Sequence, residues 1–67
     1  MKNKIKALRK EMGLRQEDLA EAVGVSRQTV IAIENEKYDP SLLLALKLAR
    51  RLGTTVEDLF EWEDDAG

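Results

Sequence analysis

The segment from residue 16 to residue 37, QEDLAEAVGVSRQTVIAIENEK, decides the fold that this sequence predicts. Its apolar residues recur every three or four positions, which is the spacing of the buried face of a helix. The pattern predicts one helix over 16–23, ended by Gly24, and a second over 27–35, capped by Ser26. Because the turn between them is so short, the second helix is predicted to cross the first steeply, as in a helix-turn-helix motif.

The amino end of the second helix is predicted to project into solvent, and it carries Arg27, Gln28 and Thr29. Arg can form two hydrogen bonds to O6 and N7 of guanine, and Gln can do the same with N6 and N7 of adenine. The free N–H groups at Gln16, where the preceding helix starts, favour a phosphate. These residue types predict a nucleic-acid interface, although Arg27 and Gln28 also suit an ordinary solvated helix start.

A further helix is predicted over residues 2–12, where Ile5, Leu8 and Met12 form an apolar stripe that ends at Gly13. Its basic residues are interpreted as a solvated face rather than as a set of nucleic-acid contacts: Lys2, Lys4, Lys6, Arg9 and Lys10.

The C-terminal half predicts a helix over 41–52 that stops at Gly53, and a short helix near 56–60 opened by Thr55. Residues 60–63 then alternate apolar and acidic side chains, the pattern of a short strand. The predicted fold class is therefore all-α, a compact five-helix domain with a helix-turn-helix and room for one short C-terminal strand.

Charge is distributed unevenly along the 67 residues, whose formal net charge is −2. Residues 57–67 contain six acidic residues and no basic one, so residues 1–56 hold all 11 basic residues and carry a net charge of +4. A basic face can bind phosphate in a protein of negative net charge, since exposed charges are screened beyond about 8 Å. We interpret 1–60 as one DNA-binding domain and 61–67 as an acidic, solubilising tail, part of which joins a dimer interface.

Several classes of protein are disfavoured by composition. The chain contains no Cys and no His, which removes disulfides and the usual zinc ligands, and it has no apolar run long enough for a signal peptide or a membrane span. It also lacks a Gly-rich phosphate loop, and 67 residues leave little room for a catalytic cleft. We expect a cytoplasmic protein that is not an enzyme, with no cofactor, no metal, no membrane contact and no small-molecule ligand.

The string QEDLAEAVGVSRQTVIAIENEKYDPSL resembles the DNA-binding domains of phage repressor and Cro proteins, the XRE-like regulators. The resemblance extends from Ile5 to Phe60, and it is strongest over 24–29, GVSRQT. It is closest to very short bacterial and archaeal regulators, a subgroup that includes the repressor of a bacterial cytolysin operon. The resemblance implies a five-helix lambda-repressor-like fold and the binding of double-stranded DNA.

The resemblance also implies a role for particular residues. Helix 27–35 would enter the major groove and read bases through Arg27, Gln28 and Thr29. A second set would contact the DNA backbone: Gln16, Asn35, Lys37 and Tyr38. We add Arg15 and Ser26 to this set, and packing of the Tyr38 ring in the core is an equal alternative for that residue. Lys6, Arg9 or Lys10 would at most be peripheral phosphate partners.

The sequence departs from the family pattern at three positions. Arg15 stands where Ser or Thr usually caps the second helix, so that helix is predicted to lack its side-chain cap. Glu36 stands where the family usually has Gly, at the end of the third helix. Leu43 replaces a residue that is usually polar.

Helix 41–52 has eight apolar residues in twelve, more than a one-sided surface helix needs. Either the helix is central and wrapped on all sides, or one face of it packs against a second copy of the chain. We favour a homodimer, with Leu43, Phe60 and Trp62 in its interface.

The function predicted from these features is a transcriptional regulator, in particular a repressor that binds a palindromic operator as a homodimer. One alternative is an antitoxin-like protein that binds DNA and uses the acidic segment 57–67 to bind a partner protein. A scaffold of this fold without DNA binding is a second alternative. An enzyme based on carboxylates such as Asp64 and Asp65 is the weakest.

Overall fold

A computed structural model of the chain describes residues 1–61. In that part of the chain it contains five helices and one pair of short strands. In chain order they are β1 (Lys2–Asn3), α1 (Ile5–Glu11), α2 (Gln16–Val23), α3 (Arg27–Glu34), α4 (Leu42–Arg51), α5 (Val56–Leu59) and β2 (Phe60–Glu61). The predicted five-helix fold with a short C-terminal strand is therefore confirmed, with helix boundaries that agree to within three residues. None of the helices within residues 1–61 is both long and apolar enough to cross a membrane.

Three helices begin at a hydroxyl-bearing residue. Ser26 Oγ accepts the N–H of Thr29 at 3.2 Å, and Ser41 Oγ accepts the N–H of Leu44 at 3.1 Å. Thr55 Oγ1 accepts the N–H of Asp58 at 3.1 Å. Each bond satisfies an N–H group that has no partner within its helix, so these caps set where α3, α4 and α5 start.

The four longer helices end in the same way, with one residue in the left-handed region. After α1, α2 and α4 this residue is a glycine, and after α3 it is Glu36, with φ of 62°. The N–H of Glu36 bonds the carbonyl of Ile33 at 3.0 Å, and the N–H of Lys37 bonds that of Ala32 at 2.8 Å. This pair of bonds is the Schellman motif, which favours Gly at the left-handed position because a Cβ is strained there. Glu36 therefore takes the left-handed conformation that explains why the family usually has Gly at this position.

All five helices contribute to one hydrophobic core, and β2 adds Phe60. Helix α4 contributes the most buried residues to this core: Leu44, Ala45, Leu48 and Ala49. The buried apolar residues are Ile5, Leu19, Ala20, Val23, Val30, Ile33, Leu44, Ala45, Leu48, Ala49, Leu52, Leu59 and Phe60. Helix α4 is nevertheless not wrapped on all sides, because Leu42, Leu43 and Leu46 are 71 %, 63 % and 51 % exposed.

Strands β1 and β2 pair antiparallel, with Lys2 opposite Glu61 and Asn3 opposite Phe60. The N–H of Lys4 continues the pairing by donating to the carbonyl of Leu59 at 2.9 Å. The first helix was predicted to start at residue 2, which is wrong. Residues 2–3 are a strand instead, because their backbone groups pair with a segment from the other end of the chain, and α1 starts only at Ile5.

Two expectations about side-chain burial are also corrected. Met12, predicted to be on the buried stripe of the first helix, is 47 % exposed because it lies past the last turn of α1. Phe60, predicted to face a second copy, is only 4 % exposed and lies in the core of the subunit, on the inner face of the β1–β2 ribbon.

Candidate nucleic-acid interface

Helices α2 and α3 are joined by a compact three-residue turn. Gly24 takes a φ of 77°, and the N–H of Val25 bonds back to the carbonyl of Ala20 at 3.0 Å. The Val25 side chain packs against the core, with Ala20 and Val30 buried on the two helices that it joins. The local sequence therefore folds into the predicted helix-turn-helix, in which the side chains of the turn hold α3 against α2.

Two of the predicted base-reading residues are freely accessible. Arg27 and Gln28 form the first turn of α3, and both are exposed. Thr29 is half-buried, and its hydroxyl shares a 3.0 Å hydrogen bond with Ser26 Oγ. Ser26 and Thr29 thus stabilise the start of the helix, while Arg27 and Gln28 present long polar side chains to whatever binds there.

Gln16 lies at the opposite end of α3 from Arg27, although it belongs to α2. Its Nε2 donates to Oε1 of Glu34, the last residue of α3, at 3.2 Å. Since the chain continues from Glu34 into Asn35, Lys37 and Tyr38, this bond brings Gln16 close to those predicted backbone contacts. Asn35, Lys37 and Tyr38 are all exposed, Tyr38 to 50 %.

Arg9 departs furthest from the environment predicted for it. It was assigned to a solvated face, but its side chain is 9 % exposed and ion-paired with Glu34, which is 2 % exposed. Nε donates to Glu34 Oε2 at 2.8 Å and Nη2 to Oε1 at 3.4 Å, while Nη1 donates to the carbonyl of Leu14 at 2.9 Å. One signal was present in the sequence: Arg9 lies four residues after Ile5, on the same stripe as the apolar residues.

Glu34 is therefore the centre of a network that joins three helices at the back of the interface. Its carboxylate accepts hydrogen bonds from Arg9 of α1 and Gln16 of α2, and it is itself part of α3. A buried charge is tolerated only when it is paired and hydrogen-bonded, so each helix restrains the other two. The network fixes Gln16 relative to the end of α3.

Arg15 precedes α2 and, as predicted, provides no side-chain cap for it. The carboxylate of Asp18 instead accepts the Arg15 N–H at 3.0 Å and Arg15 Nε at 3.3 Å. These hydrogen bonds, first the one from the backbone and then the one from the guanidinium, hold the pKa of Asp18 below its usual value. The hydrogen bond from the guanidinium to Asp18, together with the negative charges of Asp18 and Glu17, raises the pKa of Arg15. The Arg15 side chain is 74 % exposed and keeps its charge at the surface beside Gln16.

Of the residues predicted in a dimer interface, Leu43 alone is an exposed apolar side chain in the described part of the chain. Phe60 is in the core, and Trp62 lies outside the described residues. Leu43 and Leu46 of α4 line a groove together with Val56 of α5, and Lys47 and Arg50 also line it. This groove is separate from the residues around α3.

The fold and the exposed residues of α3 define a class of protein. It is a small helical domain in which the second helix of a helix-turn-helix motif exposes its first turn. Comparison with known families agrees, since residues 5–59 match the family described as "Helix-turn-helix". The chain belongs to the helix-turn-helix family of transcriptional regulators, which are DNA-binding proteins and not enzymes. The resemblance to phage repressors and short regulators is confirmed.

Two similar sequences and one similar crystal structure also belong to regulatory proteins. An uncharacterised helix-turn-helix-type transcriptional regulator of Methanocaldococcus jannaschii is 60 % identical over 65 residues, covering 97 % of this chain and 98 % of the relative. The immunity repressor of Bacillus phage phi105 is 43 % identical over 53 residues, covering 79 % of this chain but 37 % of the repressor. The crystal structure of the restriction-modification controller protein C.AhdI from Aeromonas hydrophila is similar, with a TM-score of 0.77 and 38 % identity over 84 % of this chain and 85 % of that one.

Proposed function

We propose that this protein is a transcriptional repressor that binds a palindromic operator as a homodimer and reads base pairs through Arg27 and Gln28. The observation that carries the proposal is the exposure of these two side chains on the first turn of α3. Both can make bidentate hydrogen bonds to a base edge in the major groove. Thr29 adds its methyl group or hydroxyl, depending on how far its bond to Ser26 relaxes.

The remaining residues of the interface are suited to contacts with the DNA backbone rather than with bases. Gln16, Asn35, Lys37 and Tyr38 lie around the far end of α3, where they are suited to phosphates on either side of the groove. Gln16, like Ser26 and Arg15, already has a partner within the chain, so these three contribute to the phosphate contacts only by sharing those bonds. Phosphate contacts orient α3, and the contacts of Arg27 and Gln28 select the sequence.

Dimerisation is supported by the apolar surface of α4. Leu42, Leu43 and Leu46 are all more than half exposed, and a chain of 67 residues has a core of limited size. A second copy that covers these leucines would remove apolar area from water and stabilise both subunits. In a symmetric dimer the two α3 helices would then meet half-sites about one helical turn, roughly 34 Å, apart.

Repression is supported by two relatives, which are named an immunity repressor and a phage transcriptional repressor. A small dimer bound at a promoter can exclude polymerase simply by occupying the DNA. We therefore expect the operator to overlap a promoter.

Selection from random duplex DNA tests the proposal directly. The wild-type chain should enrich a two-fold symmetric motif with half-sites spaced by about one turn. An Arg27→Ala/Gln28→Ala double variant should no longer enrich it. Lys2→Ala loses the same single positive charge and is the control for that loss. If the wild type enriches no motif, the proposed base reading is wrong. If it enriches an asymmetric motif, the proposed palindromic operator is wrong.

A further inference from the structure

Asn3 connects the β1–β2 ribbon to the end of α3. Its Nδ2 donates to the carbonyl of Ile33 at 2.9 Å, and its Oδ1 accepts the N–H of Ile5 at 3.2 Å. A longer contact of 3.5 Å joins Nδ2 to the carbonyl of Met1. The backbone of Asn3 is itself held in register, since Asn3 lies opposite Phe60 in the ribbon. A short amide side chain on a fixed backbone is a rigid connection.

The carbonyl of Ile33 is one of the last four of α3, and these carbonyls have no N–H partner within the helix. It accepts the N–H of Glu36 at 3.0 Å and the amide of Asn3 at 2.9 Å, so both of its lone pairs are used. The next residue, Glu34, is held through its side chain by Arg9. Two successive residues at the end of α3 are thus attached to the first nine residues of the chain.

We propose that Asn3 is a positioning residue of the DNA-binding surface, which sets the direction of α3 and hence the placement of Arg27 and Gln28. This inference rests on the proposed function. Helix α3 has eight residues and is about 12 Å long, so a tilt of about 5° at its end displaces its start by about 1 Å. Because hydrogen-bond distances vary by only a few tenths of an ångström, a shift of that size breaks a bidentate contact with a base.

The decisive variant is Asn3→Asp, which has nearly the same shape. It keeps an oxygen to accept the N–H of Ile5, but it loses the amide donor and places a carboxylate oxygen against the Ile33 carbonyl. Asn3→Ala removes both bonds without adding charge, and it serves if the Asp variant folds poorly. Leu8→Ala is the control for general destabilisation, because Leu8 is half-buried on α1, lies outside the groove that contains Leu43, and has a side chain that makes no hydrogen bond to α3.

The measurement is the ratio of the affinities for the selected duplex and for a scrambled duplex, at one salt concentration and a temperature at which circular dichroism shows every variant folded. One bidentate base contact is worth about tenfold or more in discrimination. We expect both Asn3 variants to lower the ratio about five- to tenfold and to flatten the selected motif at the positions read by Arg27 and Gln28. Leu8→Ala should leave the ratio within about twofold of wild type.

A role in stability alone predicts a different result. If both Asn3 variants lower the melting temperature but keep the wild-type ratio, Asn3 does not position α3 and the inference is wrong. If the wild-type protein itself shows no preference for the selected duplex, the proposed function fails and this inference fails with it. The two failures are distinguished by the wild-type measurement.

Discussion

Arg9 Nε and Glu34 Oε2 are 2.8 Å apart, and both side chains are almost completely buried. The pair is 25 positions apart in sequence and links the first helix to the last residue of α3. It lies directly behind the surface that we propose to contact DNA, so it couples the stability of the fold to the geometry of the interface.

Removal of one partner of this pair should be strongly destabilising. We expect Arg9→Ala and Glu34→Ala each to lower the free energy of unfolding by about 3–5 kcal/mol, because the remaining charge is left buried and unpaired. The double variant should lose much less than the sum of the two. Urea denaturation measures all three, with Lys10→Ala, an exposed neighbour on α1, as the control. Additive losses would contradict a direct interaction.

Glu36→Gly should stabilise the protein. Glu36 has a φ of 62°, and its counterparts after α1, α2 and α4 are glycines. Release of this strain should raise the free energy of unfolding by about 0.5–1 kcal/mol, after part of the gain is offset by the greater freedom of Gly in the unfolded chain.

Glu36→Ala separates strain from charge in that experiment. It removes the carboxylate near the negative end of α3 but keeps the Cβ, so it should recover only a small part of the gain. Chemical denaturation compares the two variants. An Ala variant as stable as the Gly variant would show that charge, and not backbone strain, is the cost at this position.

Gln28→Ala and Lys37→Ala should affect DNA binding in different ways. The loss of Gln28 should cost about 1–3 kcal/mol on the selected duplex and relax the preference at one base pair in each half-site. The loss of Lys37 should weaken binding to all duplexes alike. It should also reduce the slope of the logarithm of affinity against the logarithm of salt concentration by about one unit. Titrations at several salt concentrations measure both effects. An unchanged motif for Gln28→Ala would exclude base reading by that residue.

Leu43→Glu should weaken the proposed dimer, because it places a charge in the apolar surface formed by the exposed leucines of α4. Met12→Glu is the matched control, since Met12 is also an exposed apolar residue but lies at the end of α1. Sedimentation at micromolar concentration should find a dimer for the wild type and the control and a monomer for Leu43→Glu. A wild-type monomer at high concentration would reject the dimer and the palindrome together.

Asp18 should make the protein sensitive to acid. Its pKa is lowered in the folded state by the bonds from Arg15, so its stabilising contribution is present above the unfolded value of about 3.9. The contribution is lost as the pH falls through the lower, folded pKa. Between about pH 4 and pH 2 the stability of the wild type should therefore decline more steeply than that of Asp18→Asn. Denaturation curves over that range measure the difference, and parallel curves would contradict it.

The helix positions could be predicted from the sequence because the signals that set them are local. Ser26 and Ser41 bond N–H groups three residues away, and Gly24 ends α2 through bonds within one turn. The candidate base-reading pair was likewise evident, since exposure at the start of α3 follows from the three-residue turn before it.

Tertiary structure decided the features that depend on residues far apart in the chain. Lysines around residue 3 are as suitable for a solvated helix as for a strand, and only pairing with residues 60–61 makes residues 2–3 extended. The same pairing turns Phe60 inward, away from the predicted dimer surface. Arg9 is buried because Glu34, 25 residues later, neutralises its charge, and no pattern within a single helix contains that partner.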